Sequence, residues 1–157
     1  MKTLVHNDQE IIDDIIERSE ICFIGVVTPD NTPYVLPMNF SYRGGKLYLH
    51  SAPEGKVIDC LENNSSICVS FSIDHQLAYQ NKEVACSYTM KSKSVVVNGK
   101  VSFVEDMEEK RKALDLFMSH YSDQQFKFND PAVRNVKIWV VDIDQISCRE
   151  FGVHPKP

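Results

Sequence analysis

Three side chains able to do chemistry crowd one strand-to-helix turn in the segment "LYLHSAPEGKVIDCL" (47–61): His50, Ser51 and Lys56. A helix N-terminus presents unpaired backbone N–H groups and the positive end of the helix dipole, so it is a natural anion site. Ser51 adds a hydroxyl donor, Gly55 lets the backbone come close, and Lys56 adds a full positive charge. Together they could cradle a phosphate group. Neither GxxxxGK[ST] nor GxGxxG is present, so the turn is not a Walker loop or a Rossmann fingerprint. On spacing alone a plain structural account competes: Ser51 caps the turn, Lys56 is solvated and His50 closes a strand.

Two further stretches could meet a ligand. In "YVLPMNFSY" (34–42), Pro37 cannot donate to a ladder, which implies an edge position or an interruption. Backbone groups freed around Met38 and Asn39 could then meet the hydrogen-bonding edge of a flat heterocycle. An edge strand protected from aggregation is the simpler local account. In "CSYTMKSKSVVVNGKV" (86–101), alternation gives one face to Met90, Ser92 and Ser94 and the other to Lys91, Lys93 and Val95. Serines facing inward would need a polar partner, which a ligand could supply; serines facing outward need none.

The elements that must position these residues follow from pattern and turn chemistry. Asn7 or Asp8 can cap a first helix in which Ile11, Ile12, Ile15 and Ile16 repeat at helical spacing. "ICFIGVVT" (21–28) reads as a buried strand, "PDNTP" (29–33) as a turn, 34–42 as a second strand, "RGG" (43–45) as a hairpin turn and "KLYLHS" (46–51) as a third strand. A helix over 56–63 turns Val57, Ile58 and Leu61 inward, and "SSICVSFSI" (65–73) is a fourth strand. Residues 74–88 look polar and irregular. A long strand or bent pair over 88–106 carries a bend or bulge at Asn98-Gly99. Asp106 with Glu109 resembles a capping box for a helix whose face is Leu114, Phe117 and Tyr121. A polar loop (122–135) precedes a last strand over 136–144, with "QISCREF" as a short extension. Six or so strands and three helices, without regular strand–helix alternation, point to a small closed or half-closed antiparallel barrel.

Composition bounds the function. A chain of 157 residues, 43% hydrophobic and 25% charged, suits one globular domain over its whole length. No apolar run approaches the roughly 20 residues that span a bilayer, and the N-terminus lacks signal-peptide character. A cytoplasmic protein that does not engage membranes is expected. The net charge of −5 argues against a nucleic-acid partner, Lys91, Lys93 and Lys100 being the one candidate patch. Five scattered cysteines give neither a disulfide framework nor a zinc site. Several lie in apolar runs as reduced core thiols; Cys86, in a polar loop, is the one to watch.

Taken in order, these stretches resemble the split-barrel flavin-binding superfamily of pyridoxamine 5′-phosphate oxidase, and more closely its 5-nitroimidazole resistance (Nim) subfamily. The resemblance is carried by "TPYVLPMNF", "GGKLYLHSAPEGKVIDCL", "ACSYTMKSKSVVVNGKVSFVED" and "EEKRKALDLFMSHY". It implies a six-stranded antiparallel split β-barrel, forming a homodimer with FMN sites in clefts between subunits. Carried over by position, Ser51 and Lys56 hold the FMN phosphate, with Gly55 at the turn. Pro37, Met38, Asn39 and Phe40 lie along the isoalloxazine ring, His50 sits beside the cofactor, and Ser94 presents a polar group toward it. Trp139 reaches a cofactor site from the partner chain or, as the simpler reading, belongs to the core. The chain ends "REFGVHPKP", with Arg149 and one late lysine in place of the basic C-terminal segment of the oxidases proper, so oxidation of pyridoxamine phosphate is not expected. Lys93 stands where Nim relatives often have arginine, which weakens any bidentate anion contact there.

The resemblance implies a flavoprotein oxidoreductase passing electrons from NAD(P)H or a redox protein to a small (nitro)aromatic acceptor. His50 is the catalytic candidate for proton delivery, because its ordinary pKa is near neutrality. FAD in place of FMN is an alternative cofactor. A binding module without turnover is the rival from another class, with His50 or His120 as candidate axial ligand to haem.

Overall fold

Long β-branched runs set the architecture, and the helices fill in around them. The computed structural model describes residues 2–153. The late lysine of the C-terminal reading, Lys156, lies outside them. In chain order the elements are β1 (Lys2–His6), α1 (Gln9–Glu17), β2 (Cys22–Val27), β3 (Pro33–Met38), β4 (Ser41–Arg43), β5 (Lys46–Ser51), α2 (Lys56–Asn63), β6 (Ser66–Tyr79), β7 (Tyr88–Val104), α3 (Met107–Tyr121), α4 (Asp130–Arg134) and β8 (Lys137–Val153). A short 3₁₀ turn, Ala85–Ser87, sits between β6 and β7.

The strands form one antiparallel sheet in the order β3-β2-β6-β7-β8-β5-β4, with β1 added to the far part of β8. It has eight strands where the sequence suggests six. β1 is the first addition; its residues are largely exposed, so no hydrophobic alternation announces it. It is pinned by ladder bonds to β8 and by His6 Nε2 against Glu150 at 3.0 Å. The second is the three-residue β4, part of the stretch expected as one strand over 34–42, which the structure breaks at Asn39–Phe40.

Two strands also run further than their patterns suggest. β6 continues to Tyr79 through a bulge between Ile73 and Gln76, where Asp74 takes φ 57°. The paired β7 supplies the hydrogen bonds that draw this polar stretch into the sheet. β8 runs unbroken to Val153, well past residue 144.

Local signals explain the remaining boundaries. Asp8 caps α1, its carboxylate accepting from the Glu10 amide at 2.9 Å. Asp106 caps α3 by accepting from the Glu108 and Glu109 amides, each at 3.0 Å. Gly44 and Gly45, with φ 58° and 74°, make the β4–β5 turn. The register of β7 on β8 shifts at Asn98/Gly99, where any Cβ on Gly99 would run into the Asp142 carbonyl.

Residues directly opposite one another share a sheet face. The inner face carries Ile24, Val69, Val97 and Val141, and the outer face carries Phe23, Ser70 and Val96. Ile12, Ile15 and Ile16 of α1 and Ile58 and Leu61 of α2 are buried in the same core. Ser92 and Ser94 share the parity of Val96, so they stand on the outer face and not inside the barrel. Cys22, Cys60 and Cys148 are buried, and burial pushes the Cys22 thiol up to about 12, as expected of an inert core thiol. Cys86 is exposed. Lys93 is half-buried and paired with Asp74 at 3.6 Å, which removes one charge from the lysine patch. No helix among the described residues is long and apolar enough to cross a membrane.

Candidate functional site

The sheet ends at β3 on one side and β4 on the other, and the two residues between those strands are Asn39 and Phe40. This is where the barrel stays unclosed. The turn after β5 reaches the same edge strand at its other end, because Lys56 Nζ lies 4.4 Å from the centroid of the Tyr34 ring near the start of β3. Two of the three chemistry-bearing stretches are thus brought together. Ser94 is not joined to them within one chain: β7 is separated from β3 by β2 and β6, about 14 Å at ordinary strand spacing.

The start of α2 has the character of an anion cradle. Its N-cap is Gly55 at φ 136° and ψ 170°, a region essentially reserved for glycine, and no side chain caps the helix. The first-turn amides therefore lack the hydroxyl or carboxylate partner that Asp8 and Asp106 give to α1 and α3. Residues 52–56 are all exposed, so the cradle is an open rim and not an enclosed cavity. The nearby β2–β3 turn carries Asp30, whose carboxylate is held below its usual range chiefly by the Thr28 hydroxyl, with a smaller contribution from Lys56.

Ser51 and His50 face opposite ways, as neighbours on a strand must. Ser51 Oγ donates to the Ala52 carbonyl at 2.7 Å and accepts from Trp139 Nε1–H at 3.2 Å. The His50 ring packs edge-on against Phe117 of α3, centroids 4.3 Å apart. Burial lowers its pKa below the ordinary 6.5, which leaves a neutral imidazole at pH 7. Within one chain His50 is thus placed under α3, away from the hydroxyl of Ser51.

On β3 the ladder with β2 runs from Pro33 to Met38 without a register shift, so Pro37 marks an edge strand and not an interruption. The Met38 carbonyl accepts the Cys22 thiol at 3.5 Å. Asn39 is exposed. Phe40 is fully buried, its ring 4.9 Å from Phe71 and 4.6 Å from His120, and its amide donates to the Tyr121 hydroxyl at 2.9 Å. Phe40 thus offers a ligand neither its ring nor its N–H. Trp139 is fully buried on β8 opposite Leu49 and Phe103, which places it in the core of its own chain.

Sequence reasoning missed two participants. Tyr34 was visible only as one residue of a strand, and nothing local signals that its ring underlies Lys56. The spacing of Tyr121 marks only an apolar helix face, whereas its hydroxyl reaches a peptide 81 positions away. No sequence pattern encodes that contact.

An antiparallel sheet curled around a core, open between its end strands and with an uncapped helix start on the open rim, defines the split-barrel class. Comparison with known proteins agrees. A family model described as pyridoxamine 5′-phosphate oxidase matches residues 8–150. Among solved structures, the chain is similar to a candidate 5-nitroimidazole antibiotic resistance protein from Bacteroides thetaiotaomicron. The identity is 49% and the TM-score 0.87, over 95% of this chain and 87% of that one. It shares its fold with the flavocytochrome Anf3 from Azotobacter vinelandii, at 20% identity and TM-score 0.84 over 98% of this chain and 72% of that one. The FAD and heme binding protein from Mycobacterium smegmatis matches at 16% identity and TM-score 0.84, over 100% and 77% of the two chains. No curated protein matches the chain. The chain belongs to the pyridoxamine 5′-phosphate oxidase family.

Proposed function

We propose that the protein is an FMN-binding oxidoreductase that acts on small nitroaromatic acceptors as a homodimer. The observation that carries the cofactor reading is the glycine-capped start of α2, with Lys56 laid against the open edge strand β3. The residues present fit the phosphate: one full positive charge, uncapped amides and a serine hydroxyl that can turn from the Ala52 carbonyl. FMN, once bound, supplies the electron-transfer chemistry, and the protein positions it and tunes its environment.

Lys56 and the α2 amides would anchor the phosphate, and the exposed Asn39 segment at the end of β3 would meet the ring. Because the cradle is an open rim, a second subunit is what would cover the ring and exclude water. Ser94, and a proton donor other than this chain's own His50, would come from that subunit. The acceptor class is supported by the relative at 49% identity. The haem alternative gains no support from the histidines: His120 Nε2 lies 3.0 Å from the Ser19 carbonyl, to which it donates, and His50 lies against Phe117.

The absorption spectrum of freshly purified protein, followed by titration with FMN, tests the reading. Flavin bands that NAD(P)H bleaches and a nitroimidazole restores are expected. A colourless protein that ignores added FMN sinks it; a Soret band replaces it with the haem reading.

A further inference from the structure

The connection between β3 and β4 is held from below by the last turn of α3. The Tyr121 hydroxyl accepts from the Phe40 amide at 2.9 Å and donates to the Glu20 carbonyl at 3.0 Å, so its proton is already placed. One residue earlier, His120 holds the Ser19 carbonyl and packs on the Phe40 ring. Two consecutive residues of one helix thus tie Phe40 to the link between α1 and β2. A backbone amide outside any ladder needs such a partner, and here a side chain has been supplied.

The peptide joining Asn39 to Phe40 is trans, and in a trans peptide the N–H and C=O point in opposite directions. Fixing the Phe40 N–H therefore fixes the Asn39 carbonyl on the far side of the same plane. Asn39 itself is exposed, in the two-residue gap between β3 and β4. An isoalloxazine ring carries one N–H donor, the imide at N3, which requires a carbonyl acceptor.

We propose that Tyr121 is a positioning residue: by holding the Phe40 amide, its hydroxyl presents the Asn39 carbonyl to the imide N3–H of the flavin. This rests on the flavin reading above and names how the ring's imide edge is recognised. Tyr121 does not touch the cofactor; it acts through the peptide plane.

The test compares wild type with Tyr121→Phe, which keeps the ring that packs on Phe117 and His120. FMN and 3-methyl-FMN, which lacks the imide proton, are titrated into each. Wild type should prefer FMN by about tenfold, and the variant should bind FMN about three- to tenfold more weakly while losing most of that preference. In the cofactor-free protein, amide exchange at Phe40 should be slow in wild type and accelerated in the variant, a readout independent of the flavin. If wild type binds FMN but treats the two flavins alike, or if the variant keeps the full preference, the inference is wrong while the flavin reading stands. If wild type binds neither flavin, both fall. Should the variant fail to fold, the wild-type preference and the protection of its Phe40 amide still decide the matter.

Discussion

Trp139 Nε1–H donates to Ser51 Oγ at 3.2 Å, a bond that links the floor of the barrel to its rim. The indole is fully buried and the serine half-buried, so the hydroxyl is held by the core before any ligand arrives. Ser51→Ala should leave a buried N–H without a partner and lower stability by about 1–2 kcal/mol, measured by urea unfolding of the cofactor-free protein. If Ser51 served only the ligand, that unfolding midpoint would not move.

Lys56 makes the opposite case. A cation in the first turn of a helix opposes the helix dipole, at a cost of a few tenths of a kcal/mol. Its ammonium rests on Tyr34 with its residue otherwise exposed. Lys56→Ala should therefore leave stability unchanged or slightly raised, while FMN affinity falls by about tenfold or more and loses part of its salt dependence. Equal affinity in the two proteins would mean that the phosphate is held elsewhere.

These two residues show how far the sequence was legible. The start of α2 could be read because helix starts have local signatures, and Lys56 opens the helix where the sequence puts it; that Gly55 and not Ser51 is its cap could not. Pro37 narrows β3 to an edge strand or an interrupted one, and the unbroken ladder with β2 decides for the edge. What stayed hidden were contacts set by the path of the whole sheet. Alternation does not say which face of β7 is inside; the burial of Val95 and Val97 places Ser94 on the other face. Nor could the turn itself show that His50 and Ser51 would be divided between a helix-covered face and the barrel interior. β1 and the tip of the β6–β7 hairpin were missed because exposed strands carry little hydrophobic periodicity.

His50 should report its burial in the pH dependence of stability. Its folded pKa is lowered, so the unfolded chain takes up the proton first. The contribution of the neutral ring is fully present above about pH 6.5 and is lost as pH falls below that value. Urea midpoints of wild type should drop further between pH 7.5 and 5.5 than those of His50→Gln, with the other histidines common to both. Identical slopes would show that the ring titrates freely despite Phe117.

The outer sheet face carries its own prediction. Phe23 is 49% exposed and Val35 63%. The β6–β7 hairpin continues the same face with Leu77 at 60% and Met90 at 50%. Between them lie small residues, Gly25, Ser70 and Ser94. Two copies joined across this face would bury the apolar flanks of each. Replacing Phe23 and Met90 together by serine should convert a dimer to a monomer in sedimentation, leave the fold intact and weaken FMN retention with Lys56 untouched. A wild-type protein that sediments as a monomer would remove the interface, and with it the partner's share of the cofactor site.

Two glycines separate the requirements of the fold from those of the site. Gly99 lies on β7 where the register against β8 shifts, facing the Asp142 carbonyl, so Gly99→Ala must push two strands apart. It should cost about 1–3 kcal/mol through overpacking, with FMN affinity of the folded protein unchanged. Gly55 has open space around it, but its backbone conformation excludes a side chain on strain alone. Gly55→Ala should cost a similar 1–3 kcal/mol if the turn holds its shape, and less if the turn relaxes. Relaxation would misdirect the first amides of α2, so stability and FMN affinity should trade against each other at this position. Unfolding curves and FMN titrations on the two variants check the contrast. Equal effects on affinity would mean that the start of α2 is a structural turn with no ligand to hold.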